Sequence, residues 1–141
     1  MANTNIVGVT QIVGISAYVT PTSITQAANN ATWITDTSTA VTGLTPASGI
    51  VNRVTSVVAS NVTSSAATAS LAIANNATFA SGTLYYIAYQ ISIPPNSSVI
   101  LTDKTTSFYI TSGQSVGVIP GTASAINFTA TLESITGTVP T

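Results

Sequence analysis

In Ala125-Ile126-Asn127-Phe128-Thr129-Ala130-Thr131-Leu132-Glu133-Ser134-Ile135, the residues Ile126, Phe128, Ala130 and Leu132 alternate with Asn127, Thr129, Thr131 and Glu133. Successive side chains of an extended chain point to opposite faces, so this spacing predicts a strand with one face in a core and the other in water. Thr, Val, Ile, Tyr and Ser recur at period two through most of the remaining sequence. No stretch places apolar residues at helical spacing with good helix formers between them. The chain is read as all-β.

Leu84 to Ile93 alternates as well, with Tyr85, Ile87, Tyr89, Ile91 and Ile93 on one side and Leu84, Tyr86, Ala88 and Gln90 on the other. Apolar residues on both sides predict a strand covered twice, by a core and by a neighbour or subunit. Tyr85 and Tyr89 are expected on the core face, and Tyr86 under a loop or against another subunit. Shorter strands are predicted at Ile50 to Asn61, Thr68 to Ala74, Val99 to Leu101, Ser107 to Thr111 and Ser115 to Ile119. Turn residues separate them at Asn61 to Ala66, Asn75-Asn76, Ser81-Gly82, Pro94-Pro95-Asn96, Asp103-Lys104, Ser112-Gly113 and Pro120-Gly121. Short strands at this spacing indicate a sandwich or a barrel. Upstream of Pro46 the texture changes: residues 3 to 20 look extended, Thr22 to Ala31 is a polar tract, and Trp33-Ile34, Val41 and Leu44 suggest one or two further strands. The stretch from Ile6 to Tyr18 reads equally as a strand or as an arm pairing with an exposed sheet edge.

The chemistry is bounded by charge. Of 141 residues, five are ionised at neutral pH (Asp36, Arg53, Asp103, Lys104 and Glu133), and there is no histidine and no cysteine. Charged residues make up 4%, against about 25% in ordinary soluble domains. Two basic residues cannot neutralise a row of phosphates, which argues against nucleic acid and anionic membranes as partners. A net charge of −1 gives little repulsion between copies and favours association. The residues from Met1 onward lack the positive start of a secretory signal, and no run is long enough to span a membrane. Synthesis in a cytoplasm without export is the expectation.

Enzymatic function is not expected, because acid–base work needs a group titrating near working pH and only Asp36, Asp103 and Glu133 are present. Asp36 and Asp103 sit in predicted turns, where aspartate bonds to its own backbone, and Glu133 lies on a wet strand face. The serines lack a histidine partner, and no His/Cys set suggests zinc, iron or copper. A weak calcium site at Asp103 is a minor alternative, and no cofactor is expected. The Asn-x-Ser/Thr patterns at Asn30, Asn61, Asn76, Asn96 and Asn127 are what a chain rich in these residues contains by chance. Arg53 is open to pairing with Asp36, Asp103, Glu133 or a partner's carboxylate. Arg53, Tyr86 and Trp33, with Ile6, Val9 and Ile12 of the N-terminal stretch, are the candidate interface residues.

A longer likeness runs through Thr45-Pro46-Ala47-Ser48-Gly49-Ile50-Val51, Val54-Thr55-Ser56-Val57-Val58-Ala59-Ser60-Asn61 and Ala66-Ala67-Thr68-Ala69-Ser70-Leu71-Ala72-Ile73. It continues through Tyr89-Gln90-Ile91-Ser92-Ile93-Pro94-Pro95-Asn96-Ser97-Ser98 and Ile110-Thr111-Ser112-Gly113-Gln114-Ser115-Val116, with Gln114 where an acid is common. From Pro46 to Ile135 the chain resembles small β-sandwich domains in virion structural proteins of tailed bacteriophages. The resemblance implies an antiparallel, jelly-roll-like β-sandwich over residues 46–141, with an N-terminal arm and first strands over residues 1–45. It also implies a capsid decoration or cement protein, homotrimeric at threefold positions of the virion surface, with the major capsid protein as partner. The arm would lie on the lattice or swap between subunits. A tail, neck or fibre accessory protein binding host glycan through Trp33 and the tyrosines is the alternative, and a secreted bacterial adhesion domain is a third, disfavoured by the absent signal.

Overall fold

The computed structural model describes residues 8–26, 32–35, 40–42 and 44–137. Ten strands run in chain order: β1 Val9–Val19, β2 Thr32–Thr35, β3 Ala40–Thr42, β4 Ile50–Asn61, β5 Ala67–Ala74, β6 Leu84–Ile93, β7 Ser98–Thr102, β8 Phe108–Ile110, β9 Ser115–Pro120 and β10 Ile126–Gly137. There is no α-helix among the described residues. Two antiparallel sheets pack face to face as a β-sandwich. The larger has the order β3-β2-β1-β10-β4-β7, with β8 also on β4, and the smaller has the order β6-β5-β9. β8 and β7 share one edge of β4, β8 pairing with Asn52 to Val54 and β7 with Val57 to Ser60.

The alternation in β10 places the strand as its sequence predicts. Ile126, Phe128, Ala130 and Leu132 are buried, while Asn127, Thr129 and Thr131 are exposed. β10 is the centre of the larger sheet, paired along nearly its whole length with β1 on one side and β4 on the other. Residues 9–19, which the sequence left open between arm and strand, are therefore an inner strand of the sandwich. The described strands of the predicted arm, β1, β2 and β3, all belong to the larger sheet. Ile6 and Asp36 lie outside the described residues.

Between the sheets, Ala17, Val54, Val57, Ala59, Ile110 and the β10 residues meet Ala67, Ala69, Leu71, Ile93, Val116 and Val118. Trp33 on β2 is fully buried in this layer, and its indole Nε1 donates to Val116 O on the opposite sheet at 3.4 Å. That bond satisfies the one polar atom of the ring where water is absent. On β4 the partners step from Thr131↔Ser56 to Leu132↔Val54, so Thr55 is an extra residue. The bulge puts Val54 and Thr55 in succession into buried positions, and the Thr55 hydroxyl donates to Thr131 O at 3.0 Å.

Side-chain amides and hydroxyls organise the connections. Asn61, almost fully buried, donates from Nδ2 to Ser65 O at 2.8 Å and Ile93 O at 3.0 Å, and its Oδ1 accepts from Thr63 N at 3.0 Å. It ties the turn after β4 to the end of β6, so its match to a glycosylation pattern is structural. Gly113 at φ 90 closes the β8–β9 turn in a region that side chains avoid. Asp103 caps the short 3-10 turn at Lys104–Thr106, accepting from Thr105 N at 2.9 Å and Thr105 Oγ1 at 2.6 Å.

These bonds hold the Asp103 carboxyl below the usual aspartate range, the Thr105 hydroxyl contributing most and its backbone N–H next. A lowered folded-state pKa gives stability that is present above the unfolded value and disappears as pH falls through the folded one. An NMR titration should therefore find the Asp103 midpoint below that of a free aspartate, and Thr105→Val should raise it. A midpoint at the free value in the unaltered chain would contradict this cap.

Candidate functional site

The smaller sheet carries the functional candidates because its strand β6 is an edge. Along the β5–β6 ladder the partners run Ala69↔Ile91, Leu71↔Ala88 and Ala72↔Tyr86, so β6 contains two extra residues. One bulge is held where Gln90, at φ 49, donates its N–H to Ser70 Oγ at 2.9 Å. Bulges break the strict alternation expected from the sequence. Ala88 and Ile93, five residues apart, are both buried, and Tyr86 and Tyr89, three apart, meet edge to face with ring centroids 4.7 Å apart.

The expectation that Tyr85 and Tyr89 share a core face is corrected accordingly: they are 61% and 58% exposed. Within the chain, the described residues leave much of β6 exposed. Tyr85 lies opposite Ile73 and Ile91 opposite Ala69, so both project from the core-facing side of the sheet. They do so at an edge where nothing among the described residues closes over them, and Ile87 beside them is also exposed. This flank is an apolar margin on a strand whose outer edge has no partner among the described residues. Monomeric proteins usually shield such margins with charge, proline or a covering segment.

The opposite face of the same sheet is partly roofed. Phe79, in the 3-10 turn Phe79–Ser81 between β5 and β6, folds back over Ala72 and Ala74 and is fully buried there. A Cβ on Gly117 of β9 would lie 2.2 Å from the Phe79 ring, so the bare glycine makes room for the phenyl. Gln26, from the segment after β1, fastens this roof by donating Nε2 to Phe79 O at 2.8 Å and Gly82 O at 2.7 Å. Beside the roof lies an open groove of about 350 Å³ lined by Ile24, Gln26, Thr68, Ser70, Tyr86 and Tyr89, and bounded by Gln90 and the Ile119–Gly121 turn. No lining residue is charged.

The remaining candidates fall elsewhere. Trp33 is buried in the core and presents no surface to a partner or a sugar. Arg53 and Glu133 are directly opposite on β4 and β10, with Nη1 3.5 Å from Oε2 and side chains 34% and 39% exposed. Arg53 also donates to Ser107 Oγ from Nε at 3.3 Å and Nη2 at 3.2 Å. The guanidinium is thus engaged within the chain, in a pair worth under about 1 kcal/mol at this exposure. Ile12 is exposed on the outer face of the larger sheet, in register with Ile135, which in turn faces Val51. Val9, opposite Gly137, is half-buried at the same end of β1.

Among the described residues no group of three or more acidic, His or Cys side chains comes together. The groove was missed by sequence reasoning because Thr68, Ser70 and Ile24 carry no motif, and a β6 bulge held by a serine hydroxyl leaves no glycine as a marker. Searches against family models, curated proteins and solved structures find no match to the chain.

Proposed function

We propose that the chain is a non-catalytic structural protein of an assembled particle, specifically a capsid decoration or cement protein of a tailed bacteriophage. In this reading it is homotrimeric, sits on the virion surface, and stabilises the major capsid protein lattice through many weak contacts. The observation that carries it is the β6 flank, where Tyr85, Ile87 and Ile91 line an unpaired edge with no charge to repel a neighbour. The sequence likeness between Pro46 and Ile135 supplies the particle.

The physical argument is multivalency. A single apolar margin of this size binds weakly, but copies joined in a trimer engage the lattice together at high effective concentration. Contacts that are apolar and hydrogen-bonded weaken little as salt rises, unlike contacts between surface charges. The test is addition of purified protein to expanded phage heads lacking it. Saturable attachment, at a stoichiometry set by the lattice and retained in high salt, is expected. Attachment that vanishes in salt, or none at any concentration, would overturn the proposal.

A further inference from the structure

We propose that the groove beside Tyr86 and Tyr89 is a binding site for a neutral carbohydrate, a monosaccharide or disaccharide unit of a larger glycan. This goes beyond the assembly function and does not rest on it, because the groove opens on the far face of the smaller sheet from Tyr85 and Ile91.

The groove's size of about 350 Å³ lies at the lower end of small-ligand pockets, roughly 300–1,000 Å³. Its walls are of two kinds. Tyr86 and Tyr89 supply aromatic surface, and their edge-to-face contact at 4.7 Å and 64° holds both rings in place. Such a wall suits the C–H face of a pyranose ring.

The polar groups are fixed and have capacity to spare. Gln26 spends both Nε2 hydrogens on Phe79 O and Gly82 O, which leaves its Oε1 as an acceptor. Ser70, almost fully buried, accepts from Gln90 N and has no acceptor for its own proton among the described residues. Thr68 adds a second hydroxyl at the floor beside Gly121, whose N–H is held by Thr68 O at 2.7 Å. Hydroxyls of a sugar both donate and accept, and so match this set.

An apolar ligand would strip water from these groups without replacing its bonds, at a cost. An ionic ligand would meet no countercharge in the lining. A peptide adding a strand needs a sheet edge, whereas this groove lies on a sheet face beneath the segment of Ile24 and Gln26.

The experiment uses the full chain and three neutral probes: lactose, maltose and N,N′-diacetylchitobiose. Each is titrated by NMR and calorimetry, with a neutral glycan array alongside. At least one glycan should bind saturably, shift the amides of Ser70, Tyr86 and Tyr89, and keep its affinity when salt is raised about tenfold. Tyr86→Ala and Tyr89→Ala should each weaken binding about tenfold or more, and Thr68→Val by a smaller factor. Tyr85→Ala, on the other side of the same strand, should leave it unchanged. These tyrosines are exposed, so the variants are expected to keep the native circular dichroism spectrum.

Absence of saturable binding to every neutral glycan overturns the inference. So does equal loss in Tyr85→Ala.

Discussion

Phe79→Ala should lower the unfolding free energy by about 3–5 kcal/mol, the range for removing a fully buried phenyl. The effect is large because Phe79 is the one large, fully buried side chain of its cluster: the other buried members are Ala72 and Ala74, with Leu84 and Ile119 only partly covered. The two alanines are too short to fill the space, so truncation leaves a cavity there. Gly117→Ala should also destabilise, by about 1–3 kcal/mol as an overpacking change, since the new methyl would meet the ring at 2.2 Å. The two substitutions should be strongly non-additive, because without the phenyl the Gly117 methyl meets open space. Denaturant unfolding of both single variants and the double variant measures this. A Phe79→Ala loss below about 1 kcal/mol, or additive effects, would show that the roof is not packed as described.

Ile91→Lys combined with Tyr85→Lys should abolish attachment to the particle while leaving the isolated chain folded. Both positions are exposed, so in the free protein each ammonium stays hydrated and the stability change is expected within about 0.5 kcal/mol per site. Once the flank is covered by a neighbour, an unpaired charge is buried and costs several kcal/mol. A loss of about 2.8 kcal/mol already weakens binding about a hundredfold, and multivalent attachment magnifies it. A charged control at Val62, exposed in the turn after β4, should attach normally. Unaltered attachment of the double variant would move the docking surface away from β6. The same variant should keep its carbohydrate affinity, which separates the two surfaces.

The fold was legible in the sequence to the extent that period-two alternation survives in the structure. β10 and β4 pair along almost their whole length, so Ile126 to Leu132 and Val57 to Asn61 bury alternate residues, and the turn residues mark most strand ends. Legibility failed where ladders carry extra residues. In β6 the bulges break the alternation and bring Tyr86 to Tyr89, one of them held by the Ser70 hydroxyl twenty positions away, while Tyr85 stays on the core-facing side at an open edge. Trp33, placed on a strand by its sequence and offered as a candidate interface residue, lies in the core. Its burial depends on Val116 O, supplied by the facing sheet.

Of the site, the charge poverty that disfavours acid–base chemistry was visible at once, and so was the aromatic richness of β6. The groove was not, because it is assembled from β5, β6, β9 and the segment after β1 by long-range pairing alone. Arg53 needed only a partner, and the register of β4 against β10 supplied Glu133.

The central claim is that a chain with so few ionisable groups acts by docking many copies on a protein lattice. Counting copies per particle, by quantitative mass measurement on purified virions of a phage that carries the gene, tests the proposed function most directly. A large number fixed by the symmetry of the head, unchanged after a high-salt wash, is the expected result. A handful of copies, or none, would contradict it.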